Sequence, residues 1–156
     1  MTRHGRNPTD ARVLTRALLS VVLLATACAV PGLGEIMAAT QMRHLKLWYA
    51  GQAENWRLAS YEVDELEEGF ADAVRFHPTH KSSPRPLTEL VREFTTGAVA
   101  ALRAAIADEN PQDFAAAYDA LTEACNACHV VSDFSFNVVA RPQGNPYSNQ
   151  RFEPPR

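Results

Sequence analysis

The sequence predicts an all-α protein built as an antiparallel four-helix bundle. Alanine is frequent and glycine is scarce between Trp56 and Pro111, a balance that favours helix over sheet. Apolar residues recur at spacings of three and four along several segments, as they do on the buried face of a helix. No segment alternates strictly enough to predict a sheet, and the one strand-like piece, FSFNVV at 134–139, is isolated.

Length and composition fit one ordinary globular domain. The chain has 156 residues, of which 46% are hydrophobic and 21% are charged. The formal net charge is −3 and no long basic run occurs outside the N-terminus, so a nucleic-acid partner is not expected. The acidic run EVDELEE at 62–68 is predicted to be a solvated helix face.

The first two predicted helices are separated by a short turn. The first runs from about Glu35 to Ala50 and is predicted to end at Gly51, because glycine commonly terminates helices. The second begins after Asn55, a good N-cap residue, and must end before Pro78. Its predicted buried stripe consists of Ala59, Val63, Leu66, Phe70 and Ala73.

The third predicted helix runs from about Leu87 to Ala107, and the short connection DENP makes the fourth its antiparallel neighbour. Gly97 is expected to allow close contact between helices. The fourth helix opens with Asn110 as N-cap and Pro111 at its first position. The predicted stripes are Leu87, Leu90, Val91, Phe94, Ala98, Ala101, Leu102 and Ala105 in the third helix, and Phe114, Ala117, Leu121, Cys125 and Cys128 in the fourth.

Residues 1–29 are predicted to be a secretory signal. Four arginines precede the apolar run ALLSVVLLATACAV at 17–30, which ends in small residues and is short for a membrane span. An uncleaved N-terminal anchor is the alternative. Cys28 adds another, because LLATAC is similar to a bacterial lipobox and lipidation there would hold the protein at a membrane. A soluble periplasmic protein is the predicted product.

The expected organisation is therefore a signal at 1–29, a four-helix domain at 34–131 and an irregular tail at 132–156. The tail contains four prolines, which disfavour regular structure, together with four aromatic residues. A disordered tail would carry fewer aromatic residues, so its first half is expected to pack on the domain.

The segment EACNACHVV at 123–131 carries the most specific motif in the chain. Cys125, Cys128 and His129 have the Cys-x-x-Cys-His spacing that is typical of c-type haem attachment. On a helix, Cys125 and His129 share a face, which Cys128 borders. The thiols would form thioethers with the haem while His129 binds the iron. A Cys125–Cys128 disulfide is chemically allowed after export, whereas a zinc site needs about four ligands and no second cysteine pair exists.

Four helices with this motif near the end of the last one resemble the class II cytochromes c, the cytochrome c′ type, over roughly residues 35–131. The segment QMRHLKLWYAGQAENW at 41–56 also resembles a less characterised branch of exported bacterial cytochromes. The resemblance implies one covalent haem c among the helices near one end, thioethers at Cys125 and Cys128, and His129 as the proximal iron ligand. The tail and the short first turn depart from the family pattern.

The residue on the opposite side of the iron is left open by the sequence. In such a bundle the first helix and the loop between helices two and three approach the end of helix four, so the candidates are Met37, Met42, His44, His77 and His80. Met42 is preferred, because methionine is the distal ligand of low-spin members of the resembling family, and His44 is the alternative. The competing faces are Thr40–His44–Leu47–Gly51 and Ala38–Met42–Leu45–Tyr49. An apolar residue that shields the iron without binding it is the third outcome.

The predicted function is that of a monohaem electron carrier in the periplasm, which exchanges electrons with a redox partner protein. The alternative is binding or sensing of a small gas, nitric oxide or carbon monoxide, at an open or displaceable sixth position. Peroxidase-like turnover is less well supported because no acid–base pair is evident beside the haem, so no enzymatic activity is predicted. Arg43 is a candidate contact for a haem propionate, with a solvated surface charge as its alternative. The sequence does not decide whether the protein forms a homodimer.

Overall fold

The computed structural model describes residues 30–155, and the fold is given for those residues alone. Within this range the protein is all-helical, with four helices and no strand, which is consistent with a four-helix bundle. The helices are α1 (Leu33–Gln52), α2 (Trp56–Phe76), α3 (Leu87–Ala107) and α4 (Pro111–Val131). None of these described helices is long and apolar enough to cross a membrane. The predictions for the signal and for Cys28 lie outside the described residues.

Asparagine N-caps begin the second and fourth helices, as predicted. The Asn55 side chain accepts a hydrogen bond from the Leu58 N–H, and the Asn110 side chain accepts from Gln112 and Asp113. These bonds satisfy backbone donors that have no partner within the first turn of a helix. The predicted helix starts at these two positions are therefore confirmed.

Helices α1, α3 and α4 each end in a left-handed residue, which lets the chain reverse within a few positions. These residues are Glu54 (φ 53°), Glu109 (φ 50°) and Asp133 (φ 64°). After α1, for example, the Glu54 N–H donates to the Gly51 carbonyl at 3.0 Å and the Asn55 N–H donates to the Ala50 carbonyl at 2.9 Å. The same pair of bonds follows α3 and α4, so three helix ends are satisfied by backbone groups.

The predictions for two glycines are wrong. Helix α1 continues through Gly51 to Gln52, and Gly51 does not have a positive φ. Instead, Gly51 makes room for an α4 side chain, because a Cβ atom there would lie 2.0 Å from a ring carbon of Phe114. At Gly97 in α3 a Cβ atom would meet nothing within 4 Å, so this glycine does not mediate a close helix contact.

The predicted stripe of α2 is confirmed, since all five of its residues are buried. Ala101 of α3 is exposed, contrary to prediction, while Val99 and Ile106 are buried on that helix. Glu62 is also an exception, because its side chain is buried at 1% exposure rather than solvated like Asp64, Glu67 and Glu68 of the acidic run. Burial raises the pKa of Glu62, and the Arg43 guanidinium lies 3.6 Å from its carboxylate.

The C-terminal tail lies across the two helices α1 and α4 and contributes to the core. The Arg141 guanidinium lies 4.3 Å from the ring centroid of Trp48 on α1 and pairs with the Asp119 carboxylate on α4. Near its end, Phe152 is only 6% exposed and packs against Tyr49 with ring centroids 5.4 Å apart. The second half of the tail therefore packs on the helices, as well as the first half for which packing was expected.

Candidate functional site

A cavity of about 510 Å³ is bordered by the first half of α1, the second half of α2, the loop before α3, the first half of α3, the last turns of α4 and the start of the tail. This volume is within the range of small-molecule and cofactor sites. The lining is mostly apolar and includes Leu33, Met37, Leu66, Phe70, Leu87 and Val91. A flat, largely apolar group would lose contact with water on entering this space.

All three residues of the Cys-x-x-Cys-His motif line this one cavity. Cys125 and Cys128 are free thiols, so the disulfide that the sequence allowed is not formed. Burial raises the pKa of the Cys125 thiol to about 11 and also raises the pKa of Cys128. Both thiols are therefore protonated at neutral pH, unlike the low-pKa cysteines of thiol oxidoreductases.

A backbone carbonyl determines that Nδ1 is a protonated nitrogen of the His129 ring. Its Nδ1 atom lies 2.6 Å from the carbonyl oxygen of Asn137. A carbonyl oxygen can only accept, so Nδ1 carries the proton and donates it. In a neutral imidazole the Nε2 atom then keeps its lone pair. Metal-binding histidines usually make such a contact with their second nitrogen, so His129 has the arrangement expected of an iron ligand through Nε2.

His44 also borders the cavity, but both of its ring nitrogens are bonded to α4. Nε2 lies 2.9 Å from the Thr122 hydroxyl and Nδ1 lies 2.9 Å from the Tyr118 hydroxyl. Because the Thr122 hydroxyl donates to the Tyr118 carbonyl, it accepts from Nε2–H of His44. The Tyr118 hydroxyl, which also lies 3.2 Å from the His44 carbonyl oxygen, donates to Nδ1 of the neutral ring. Burial lowers the pKa of His44 to about 4, so the ring is neutral.

The structure distinguishes between the two competing faces of the first helix. Thr40, His44, Leu47 and Gly51 are all buried. Met42 is only half-buried and does not line the cavity. Thr40 is buried because α2 approaches it closely, since a Cβ atom at Gly69 would lie 2.6 Å from the Thr40 hydroxyl oxygen. The preferred distal candidate therefore lies off the cavity, and the alternative, His44, has no free nitrogen.

The candidate propionate contact, Arg43, is engaged with α2. Its guanidinium lies 2.5 Å from a Glu65 carboxylate oxygen and 5.8 Å from the ring centroid of Tyr61. It does not border the cavity, and the lining found among residues 30–155 contains no lysine or arginine. The structure thus gives Arg43 a role in joining α1 to α2.

Two other candidates border the cavity. Met37 lies on α1 and packs against a small cluster formed by Ile36, Ala73 and Leu87. His80 lies in the loop before α3, where its Nδ1 atom accepts a hydrogen bond from the Ser82 N–H at 3.3 Å. Its ring centroid is 5.7 Å from that of Phe134. His77, the remaining histidine considered, does not line the cavity.

Three polar residues beside the site were not among the predicted site residues, although they lie on the same helix as the motif: Tyr118, Thr122 and Asn126. Tyr118, Thr122 and Asn126 follow one another at intervals of four residues, so they form one row along α4. That spacing was visible in the sequence. Their partners were not, because His44 and Val139 are distant from them in the chain or lie in irregular structure.

In the part of the chain from residue 30 to residue 155, no group of three or more histidine, cysteine or acidic side chains is arranged to hold a bare metal ion. Comparisons of the chain with protein families, with curated proteins and with solved structures found no match.

Proposed function

We propose that this protein is a monohaem c-type cytochrome that transfers electrons, with haem attached covalently to Cys125 and Cys128 and its iron bound by His129. The observation that carries the proposal is the meeting of both free thiols and of a histidine with an available Nε2 at one mostly apolar cavity. Haem would supply an iron that alternates between the ferric and ferrous states. The chain's residues would hold it, exclude water and tune its potential.

The proposal extends to architecture and location. It includes an antiparallel order of the four helices, kinship with the class II cytochromes c, and export to the periplasm, where a redox partner protein would dock. Short connections between α1 and α2 and between α3 and α4 support the antiparallel order. The basic and then apolar N-terminus supports export, and the motif at the end of the last helix supports the kinship.

In this proposal Met37 takes the place of Met42 as the sixth iron ligand. His44 is disfavoured because both of its nitrogens are bonded to α4. His80 is disfavoured because the Ser82 N–H donates to its Nδ1, which leaves the proton of a neutral ring on Nε2. Met37 borders the cavity, and its thioether would need to lose no proton before it binds iron. Axial methionine would raise the reduction potential relative to two histidines.

Binding of nitric oxide or carbon monoxide is the second candidate function. It is favoured by the apolar lining and by the engagement of both His44 nitrogens, which together leave few protein groups able to fill the sixth position. In that case Met37 would only occupy space near the iron.

Covalent haem is the first point to test. The protein is produced with haem-maturation machinery, denatured and weighed by mass spectrometry, with Cys125→Ala/Cys128→Ala as the control. We expect one haem on the unaltered chain and none on the double variant. An unaltered chain that carries no haem after effective maturation would refute the proposal.

Spectra of the ferrous protein with and without carbon monoxide then separate the two functions. If the protein is an electron carrier, we expect a low-spin spectrum that does not change when carbon monoxide is added. Replacement of Met37 by Leu should make the iron sensitive to carbon monoxide, whereas Met42→Leu, the matched control, should not. A high-spin spectrum of the unaltered protein that shifts when the gas is added supports the gas binder instead.

A further inference from the structure

We propose that Asn126, which lies between the two cysteines of the motif, is a positioning residue for the iron. It would hold the start of the C-terminal tail so that the Asn137 carbonyl stays on His129 and lowers the reduction potential. The inference rests on the proposed function and adds a role for a motif position that haem attachment itself does not use.

The Asn126 side chain makes two hydrogen bonds with the backbone of one tail residue, Val139. This pair of bonds is called the Asn126 clamp. The Asn126 Nδ2 atom donates to the Val139 carbonyl at 2.9 Å, and the Val139 N–H donates to the Asn126 Oδ1 atom at 2.8 Å. A side-chain amide carries a donor and an acceptor in one plane, so it can pair with the N–H and the C=O of one residue as a neighbouring strand would. This pairing fixes both the position and the direction of the chain at Val139.

Residues 132–138, which connect the end of α4 to Val139, return to the turn of α4 that carries His129. The Phe134 N–H donates to the His129 carbonyl at 2.7 Å, and the Asn137 N–H donates to the Phe134 carbonyl at 2.9 Å. The Asn137 carbonyl then accepts from His129 Nδ1 at 2.6 Å. Asn137 is two residues from Val139, so the Asn126 clamp determines where this carbonyl lies.

Packing alone does not hold this part of the tail. Phe134 contacts His80, but Phe136 is 79% exposed and Val138 is 69% exposed. Farther along, Arg141 and Phe152 anchor the rest of the tail to the helices. Loss of the Asn126 clamp should therefore release the segment around Asn137 while the remainder of the tail stays docked.

The position of this carbonyl matters because it acts on the iron through His129. A hydrogen bond from Nδ1 to a carbonyl makes the imidazole a more basic ligand. A more basic axial ligand stabilises ferric iron relative to ferrous iron, which lowers the reduction potential. Moving the carbonyl away should therefore raise the potential.

The test uses the haem-loaded protein and three variants. Asn126→Ala removes both bonds of the clamp. Val139→Pro removes the tail N–H that donates to Asn126 and leaves the attachment motif intact, so it serves if the first variant fails to mature. Ser135→Ala is the matched control, because it deletes an exposed side-chain hydroxyl of the same loop, away from the cavity, and leaves residue 137 unchanged. Each protein is weighed for covalent haem, titrated for its midpoint potential and followed by amide hydrogen exchange at residue 137.

We expect a higher midpoint potential and faster exchange at residue 137 in Asn126→Ala and in Val139→Pro, with both quantities near those of the unaltered protein in Ser135→Ala. Covalent haem with an unchanged potential in the first two variants would overturn this inference and leave the proposed function standing. An equal rise in Ser135→Ala would also overturn it, because a change anywhere in the loop, and not loss of the Asn126 hydrogen bonds, would then raise the potential. Absence of haem from the unaltered protein would overturn both proposals.

Discussion

At the residue scale, His44 lies at 4% exposure, and its neutral ring joins α1 to the hydroxyl groups of Tyr118 and Thr122 on α4. Two polar side chains of α4 are thus satisfied by one polar side chain of α1 inside an otherwise apolar interface. A charged imidazole would carry a second N–H where the Tyr118 hydroxyl now donates, and burial would penalise its charge.

Protonation of His44 should make the protein less stable in mild acid. In the unfolded chain the ring takes up a proton near the ordinary histidine pKa of 6.5, whereas the folded ring does so only near pH 4. Between these values the unfolded state binds more protons, so stability falls as the pH is lowered from about 6.5 to about 4. The loss should approach about 3 kcal/mol, measured by urea unfolding at a series of pH values.

The control for this effect is His44→Gln, which offers an amide donor and acceptor but does not titrate. This variant should be less stable than the unaltered protein at pH 7 and should lose most of the decline between pH 6.5 and pH 4. An unchanged decline in the variant would assign the pH dependence to other groups.

At the scale of the helices, Gly51 and Gly97 have different roles although both lie inside a helix. Gly51 of α1 faces the Phe114 ring of α4, whereas Gly97 of α3 is exposed and has open space around it. The intrinsic helix preference of glycine is the same at both positions. The neighbouring helix therefore decides what a methyl group would do.

Gly51→Ala and Gly97→Ala should change stability in opposite directions. The added methyl group at residue 51 would overlap the Phe114 ring and should cost about 3 kcal/mol through overpacking. The same group at residue 97 should stabilise α3 by about 0.5–1 kcal/mol, because alanine favours the helix interior. Thermal and urea unfolding measure the stability change of each variant. Destabilisation by Gly97→Ala would contradict the open environment of Gly97.

The starts of α2 and α4 were the most predictable feature at this scale. Asn55 and Asn110 cap α2 and α4 through bonds to residues two or three positions away, so the capping signal is contained in the local sequence. The left-handed residues Glu54, Glu109 and Asp133 were not predicted, because glycine is the usual residue at such positions.

At the scale of the whole molecule, the tail is part of the folded domain. Phe152 packs on Tyr49, and its carbonyl accepts a hydrogen bond from the Asn55 side chain at 2.9 Å. Asn55 thus connects the start of α2 to the end of the tail. The tail should therefore contribute to the stability of the helices.

Phe152→Ala should destabilise the protein by about 3 kcal/mol, since it removes a buried ring. Phe136→Ala is the control, because that ring is 79% exposed and its loss should change stability by no more than about 0.5 kcal/mol. Equal effects of the two substitutions on the urea midpoint would show that burial of Phe152 does not stabilise the domain.

Within residues 30–155, the sequence by itself determined the number and positions of the helices, the asparagine caps of α2 and α4, the stripe of α2 and the clustering of Cys125, Cys128 and His129. These features depend on residues two to four positions apart, whose relation a helix or a cap imposes locally. Only the tertiary structure decided which face of α1 is buried, that Arg43 pairs with α2, and where the tail lies. Those outcomes depend on pairs such as His44 and Tyr118, which are 74 positions apart and meet only when the helices pack.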